Sequence, residues 1–259
     1  MEDRLIESEL VRPGARLGHT VVVKSLTGST NDDAKALAEA GAGEGVAVIA
    51  DQQERGRGRK GRAWRSPAGK NLLFSVVLRP QPELAPGLIT LAAGVGVAQA
   101  VEDVCGLFAR IKWPNDVRVN GKKLAGILAE AGGGKGGDYV VLGIGLNVNA
   151  EAGDMAEEIR ELASSLRIET GRRWPRAEVF RKVTAKLEES LALAERDPSA
   201  LLKKWESLAE ALGREVRAET PAGVIFGKAI GVGDDGALRL LETASGKERR
   251  IVAGDVIIV

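Results

Sequence analysis

The chain has 259 residues and balances 37 Lys and Arg against 36 Asp and Glu, so it does not hold a polyanion by bulk electrostatics. One Cys and one His exclude an intrachain disulfide, a cysteine zinc site and an HExxH metal helix, so no resident metal is expected. No apolar run reaches the ~18 residues of a membrane span and Met1-Glu2-Asp3-Arg4 lacks a signal-peptide pattern, which predicts a cytoplasmic protein with no membrane partner.

Val21-Val22-Val23 predicts a strand. Thr27-Gly28-Ser29-Thr30-Asn31 then turns into a helix, with Ser29 or Thr30 as N-cap, Asp32 and Asp33 in the first turn, and Ala34, Leu37 and Ala38 as its apolar stripe. Val46 to Ala50 and Leu72 to Leu78 predict buried strands, separated by Gly56-Arg57-Gly58-Arg59-Lys60-Gly61-Arg62-Ala63-Trp64. Leu84 to about Cys105 has a helical pattern rich in small residues. Strands are expected at Ala109 to Lys112, Val117 to Val119, Leu124 to Glu130 and Tyr139 to Asn147. Asn120-Gly121 marks a hairpin between the second and third, and the third pairs with the fourth across a Gly132–Gly137 loop. Helices follow at roughly 155–166, 176–195 and 198–211. From Arg214 to Val259 short β-like runs alternate with turns. The whole predicts an α+β fold: a mixed sheet with flanking helices over residues 1–211, and a small barrel-like β module over 212–259.

The Gly56–Trp64 stretch sets four cations among glycines. It neither packs into a core nor holds a helix. It is a solvated linker, a short nucleic-acid segment or a loop that wraps an anion, and it matches neither a P-loop nor a GxGxxG pattern. Lys112-Trp113-Pro114-Asn115-Asp116 is either a tight turn at a strand end or a turn that also presents a carboxylate and an amide. In Gly121-Lys122-Lys123-Leu124-Ala125-Gly126-Ile127-Leu128 the two lysines face opposite sides of a strand. Lys123 is then an edge-protecting charge or a cation pointing into a cleft. Glycines inside Gly143-Ile144-Gly145-Leu146-Asn147-Val148-Asn149 mark a bulge or a close approach.

Taken together and in this order, GSTN, GRGRKGRAW, KWPND, GKKLAGIL and GIGLNVN resemble the biotin protein ligase family over the whole chain. The resemblance implies a class II synthetase-like catalytic domain with an SH3-like C-terminal barrel. It implies biotin and ATP as substrates with Mg²⁺, formation of biotinyl-5′-AMP, and transfer of biotin to a lysine of a biotin carboxyl carrier protein. Carried over by motif, Ser29, Thr30, Asn31 and Gln53 line the biotin pocket, and Gly143 and Gly145 allow close approach to it. Arg57, Gly58 and Arg59 hold the biotin carboxylate and the adenylate phosphate, and Lys123 is the main catalytic cation. Gly56, Arg62, Trp64, Lys112, Asn115, Asp116 and Asn147 serve the nucleotide, with Trp64 against adenine and Asp116 the candidate base for the acceptor lysine. The basic loop is expected to be disordered when empty and to close over ligand. GSTN begins by residue 28, which leaves no room for the N-terminal winged helix of some members, so no operator DNA is expected. Family members often dimerise through sheet edges, so a homodimer is an open expectation.

Overall fold

The computed structural model describes residues 4–81 and 84–259; Met1–Asp3, the start of the segment scanned for a signal peptide, lie outside it. A one-turn helix α1 (Glu7–Leu10) precedes β1 (Thr20–Thr27), α2 (Thr30–Glu39), β2 (Val46–Gln53), β3 (Leu72–Leu78) and α3 (Pro86–Cys105). The strands β4 (Arg110–Lys112), β5 (Asp116–Val119), β6 (Lys122–Gly134) and β7 (Gly137–Leu146) complete one sheet in the order β1-β2-β3-β7-β6-β5-β4. Only β1 and β2 run parallel; the rest is antiparallel. The helices α4 (Glu157–Arg160), α5 (Leu166–Thr170), α6 (Arg176–Arg196) and α7 (Pro198–Leu208) follow. The chain ends in β8 (Glu215–Thr220), β9 (Gly223–Val232), β10 (Leu238–Glu242), β11 (Glu248–Ile251) and β12 (Asp255–Ile258), an antiparallel sheet ordered β11-β10-β9-β8-β12.

Side-chain alternation gives the first sheet two different faces. One carries Ala47, Ile49, Leu72, Phe74, Val76, Leu142, Ile144 and Leu146 into the main core beneath α3 and α6. Close packing there depends on Gly96 of α3, where a Cβ would sit 2.8 Å from Ser190 Oγ and 2.9 Å from the Lys186 carbonyl of α6. By length and hydropathy α3 would cross a membrane, which a search for uninterrupted apolar runs overlooks, but two thirds of that stretch is buried inside the fold. The other face packs Val48, Val77, Tyr139 and Val141 against Ala34 and Ala38 of α2. The C-terminal sheet joins the main core through Val216, Ala218, Ala229, Leu238, Leu240 and Val256, and Trp113 Nε1 donates to the Gly236 carbonyl at 3.0 Å.

Three expectations change. The helix expected at 155–166 is only the single turn α4. The chain leaves the helix by a turn at 161–162 and Ala163 bridges to Lys123 instead, because Lys123 N–H donates to Leu162 O at 2.8 Å and Ser164 N–H to Lys123 O at 2.9 Å, adding a short parallel pairing to β6. The last helix stops at Leu208, since Ala209 is extended and pairs with Ile111. The β6–β7 hairpin is tighter than the six-residue loop expected, with pairing continuing to Gly134 and Gly137.

Candidate active site

The second face of the sheet turns from packing to chemistry halfway along its central strands. Ser75 of β3 pairs with Gly143 of β7, Gly143 with Leu128 of β6, and Gly145 with Gly126. Ser75, Gly143 and Gly145 lie on the α2 side, two or four residues from buried Val77 and Val141 in their own strands, and with Gly126 they offer a hydroxyl and a glycine strip. The missing side chains leave room that other residues fill. A Cβ on Gly143 would overlap Asn31 Oδ1, and one on Gly145 would overlap the Trp64 indole. A Cβ on Gly126 would lie 2.9 Å from the same indole.

The start of α2 supplies one wall. Ser29 occupies the N-cap position, but its hydroxyl makes no capping bond. Gln53, at the end of β2, takes over: its Oε1 accepts from Thr30 N–H at 2.7 Å and lies 3.0 Å from Thr30 Oγ1. The Ser75 hydroxyl lies 2.6 Å from Asn31 Oδ1 and 2.8 Å from Thr30 Oγ1. An amide oxygen only accepts, so the Ser75 proton goes to Asn31. Asn31 Nδ2 donates to Glu130 Oε2 at 2.6 Å, and Lys35 pairs with the other oxygen at 2.8 Å. Burial alone would raise the Glu130 carboxyl, but these two donors outweigh it and hold it below the usual carboxylate range. Ser29, Thr30, Asn31 and Ser75 are all buried, so this is a fixed polar wall.

The basic stretch is a closed hairpin. Trp64 N–H donates to Gly56 O and Gly58 N–H to Arg62 O, with a turn at Arg59–Gly61 in which Lys60 is left-handed. Gly56 belongs to this closure: a Cβ there would sit 2.6 Å from Trp64 O. Three of the four cations have carboxylate partners. Arg57 forms a two-pronged pair with Asp32, and Lys60 and Arg62 share Asp255 of β12. Arg59 differs. Its contacts are the Asn115 carboxamide oxygen at 3.4 Å and the Gly254 carbonyl at 3.3 Å, with no ion pair among the described residues. Burial depresses its pKa from the ordinary guanidinium value.

Lys123 reaches the same space through a β-bulge. Strict alternation from Ala125 would send its side chain into the core. The register shift between β5 and β6 pairs Ala125 with Val117 and Lys123 with Arg118, so Leu124 is the extra residue and Lys123 projects beside Gly126. Its Nζ lies 2.7 Å from Asp116 Oδ1 and 5.3 Å from the centre of the Trp64 ring.

One cleft therefore gathers Ser29, Thr30, Asn31, Gln53, Arg57, Gly58, Arg59, Arg62, Trp64, Asn115, Asp116, Lys123, Gly143 and Gly145. Lys112 and Asn147 line a second cavity across Trp64, with Arg65, Arg118, Ile159, Leu162 and Ala163; Arg62, Trp64, Asp116 and Lys123 border both. The Trp64 Nε1 proton is buried without a partner at this shared wall. The polar atoms of Asn147 serve the scaffold: its amide donates to Ser164 O, and its oxygen accepts from Asn71 Nδ2. Asn115 likewise donates to Ile127 O at 2.7 Å. Sequence reasoning missed Ser75, Glu130, Asp32, Gly126 and Asp255. The first four carry a parity or helix-face signal once strand registers are known; Asp255, 193 residues beyond Arg62, carries none.

The cleft thus has a polar wall, a glycine floor and a cationic end with one uncompensated guanidinium. That suits a ligand with hydrogen-bonding groups at one end and an anionic group at the other. Residues 23–147 match the profile of the Biotin/lipoate A/B protein ligase family, and residues 211–259 match the Biotin protein ligase C terminal domain. The biotin–[acetyl-CoA-carboxylase] ligase of Mycobacterium tuberculosis is 34% identical over 265 residues, covering 99% of this chain and 95% of that protein. The chain belongs to the biotin protein ligase family. The bifunctional ligase/repressor BirA of Bacillus subtilis is 37% identical, covering 98% of this chain and 79% of its own length. The biotin protein ligase from Aquifex aeolicus, solved in complex with biotin and ATP, superposes with a TM-score of 0.80 at 32% identity, over 93% of this chain and 98% of that one. Both sheets of this chain are thus those of biotin protein ligases.

Proposed function

We infer that this chain activates biotin with ATP to biotinyl-5′-AMP, releasing pyrophosphate, and then transfers biotin to a lysine of a biotin carboxyl carrier protein. The single observation that carries the reading at the level of residues is Arg59: a half-buried guanidinium at the cleft end, with no carboxylate partner among the described residues, is available to an anion from outside. A biotin carboxylate supplies one, with the ureido ring held against Thr30, Asn31 and Ser75.

In the first step a carboxylate oxygen attacks the α-phosphorus and pyrophosphate leaves. Two anions must meet, so the protein supplies charge where it develops. Lys123 and Arg59 stand at the junction, and Arg62 meets the polyphosphate. Trp64 and the cavity lined by Ile159 and Leu162 receive the adenine, where the indole N–H finds its acceptor. No group of three metal-ligating side chains occurs among the described residues, so Mg²⁺ is read as part of the MgATP substrate and no protein ligand is assigned to it. In the second step the acceptor amine attacks the acyl carbon and AMP leaves. Asp116 is ion-paired to Lys123, so its use as a base requires Lys123 to shift toward phosphate first.

The test is acceptor labelling. A carrier domain incubated with the protein, biotin and MgATP becomes biotinylated on one lysine, and synthetic biotinyl-5′-AMP replaces biotin plus ATP. Absence of labelling with the synthetic adenylate would overturn the transfer step.

A further inference from the structure

The Arg57–Trp64 hairpin is pinned from the C-terminal sheet by two adjacent residues. Asp255, the first residue of β12, accepts on one oxygen from Lys60 Nζ at 3.0 Å and from Arg62 Nη2 at 2.5 Å. The preceding carbonyl, Gly254 O, accepts from Arg59 Nη1 at 3.3 Å. Three of the loop's four cations thus end on a two-residue segment of another sheet. That segment is itself fixed: Asp255 pairs with Glu219 of β8, and a Cβ on Gly254 would lie 2.6 Å from Glu219 O. Asp255 also lines the cleft. Burial alone would raise its carboxyl, but the two cations outweigh that and hold it below the usual range, so the latch is charged at neutral pH.

We propose that Asp255 is a positioning residue for the reaction: it latches the hairpin to the C-terminal sheet, sets Arg59 at the end of the cleft, and keeps the hairpin shut over the adenylate. The proposal rests on the ligase reading above. It also gives the C-terminal sheet a task within the catalytic cycle. The hairpin has no other carboxylate anchor at its tip among the described residues; Arg57 is tied to Asp32 at its base. Phosphate entering the cleft competes with Asp255 for Arg62, while Lys60, on the outer side of the turn, keeps the latch engaged.

Two measurements on the full chain test this. The first needs no catalysis. Trypsin cuts after Lys and Arg, so nicking within 57–62 of the ligand-free protein reports hairpin opening. Asp255→Asn should speed that nicking about fivefold, the scale of two partly exposed ion pairs on one carboxylate; Asp255→Glu should restore protection. Lys60→Gln, which cuts the latch from the loop side, should give a smaller increase and add little to Asp255→Asn. The second is the fate of the intermediate. Asp255→Asn should release more AMP per acceptor lysine modified, because water reaches the acyl carbon, with the thermal midpoint nearly unchanged. Unchanged nicking and an unchanged AMP-to-product ratio in a folded Asp255→Asn protein would overturn the latch. If the wild-type chain makes no biotinyl-5′-AMP, the ligase reading fails instead, and the nicking result still decides the latch.

Discussion

Replacing Lys123 with Ala removes the cation that the β-bulge aims into the cleft. The two effects of that change differ in size, and the structure sets both. The Lys123–Asp116 pair is 33% and 23% exposed on its two sides, so its loss costs roughly 1 kcal/mol or less of stability. In a chain of this size that lowers the melting midpoint by about 2–4 °C. The catalytic loss is larger. A unit charge ~4 Å from charge developing on the α-phosphoryl group contributes about 4 kcal/mol at an effective dielectric of ~20. At ~1.4 kcal/mol per tenfold in rate, that is on the order of 10³ in the adenylation step. Arg59 remains nearby and screens part of the loss, so ~10²–10³ is expected. The assay is single-turnover formation of biotinyl-5′-AMP by quenched flow, with melting followed in parallel. Synthetic biotinyl-5′-AMP should bypass much of the defect, since transfer begins after the step that Lys123 serves. An adenylation rate within tenfold of wild type, in a protein that melts normally, would refute this placing of Lys123.

Gly143→Ala should raise the KM for biotin about tenfold or more, because the new methyl takes the space of Asn31 Oδ1 and drives the carboxamide off the wall; an unchanged KM would show that Asn31 does not touch biotin. Gly145→Ala displaces the Trp64 indole instead, so its effect should fall on the KM for ATP, read from initial rates. Arg59→Gly should let the adenylate escape and label lysines on bystander proteins, detected by avidin blotting; retained selectivity would count against Arg59 as the retaining cation. Glu130 has a depressed folded pKa, so its hold on Asn31 is fully present above its ordinary value and is lost only as pH falls through the lower folded value. Biotin affinity by calorimetry should therefore be flat from neutrality down to about pH 5, and an earlier loss would contradict the Glu130–Asn31 contact.

Much of the sheet was legible because its strands are short apolar runs between strong turn signals. Asn120-Gly121 stands at the β5–β6 turn, where Asn120 is left-handed. The helix at 155–166 misled because its composition is helical while the neighbouring β6 edge offers Lys123 N–H and C=O, and tertiary pairing overrides local propensity there. The motif residues that gather around the cleft were legible as a set. Their division of labour was not. Asn147 stands in a strong motif, yet its amide is committed to Ser164 and Asn71. The glycines Gly143 and Gly145 line the cleft, and the space left by their missing side chains also seats Asn31 and Trp64. Asp255 escaped notice because nothing local distinguishes it; its importance comes from a docking contact between two sheets. Lys123 shows the same limit from the other side, since its direction depends on a bulge that alternation alone does not reveal.

The most direct test of the account is pyrophosphate release by the purified chain with MgATP and either biotin or lipoate, with the product identified by mass spectrometry. The account predicts release with biotin, retention of biotinyl-5′-AMP on the protein, and no release with lipoate. Release driven by lipoate and not by biotin would contradict it.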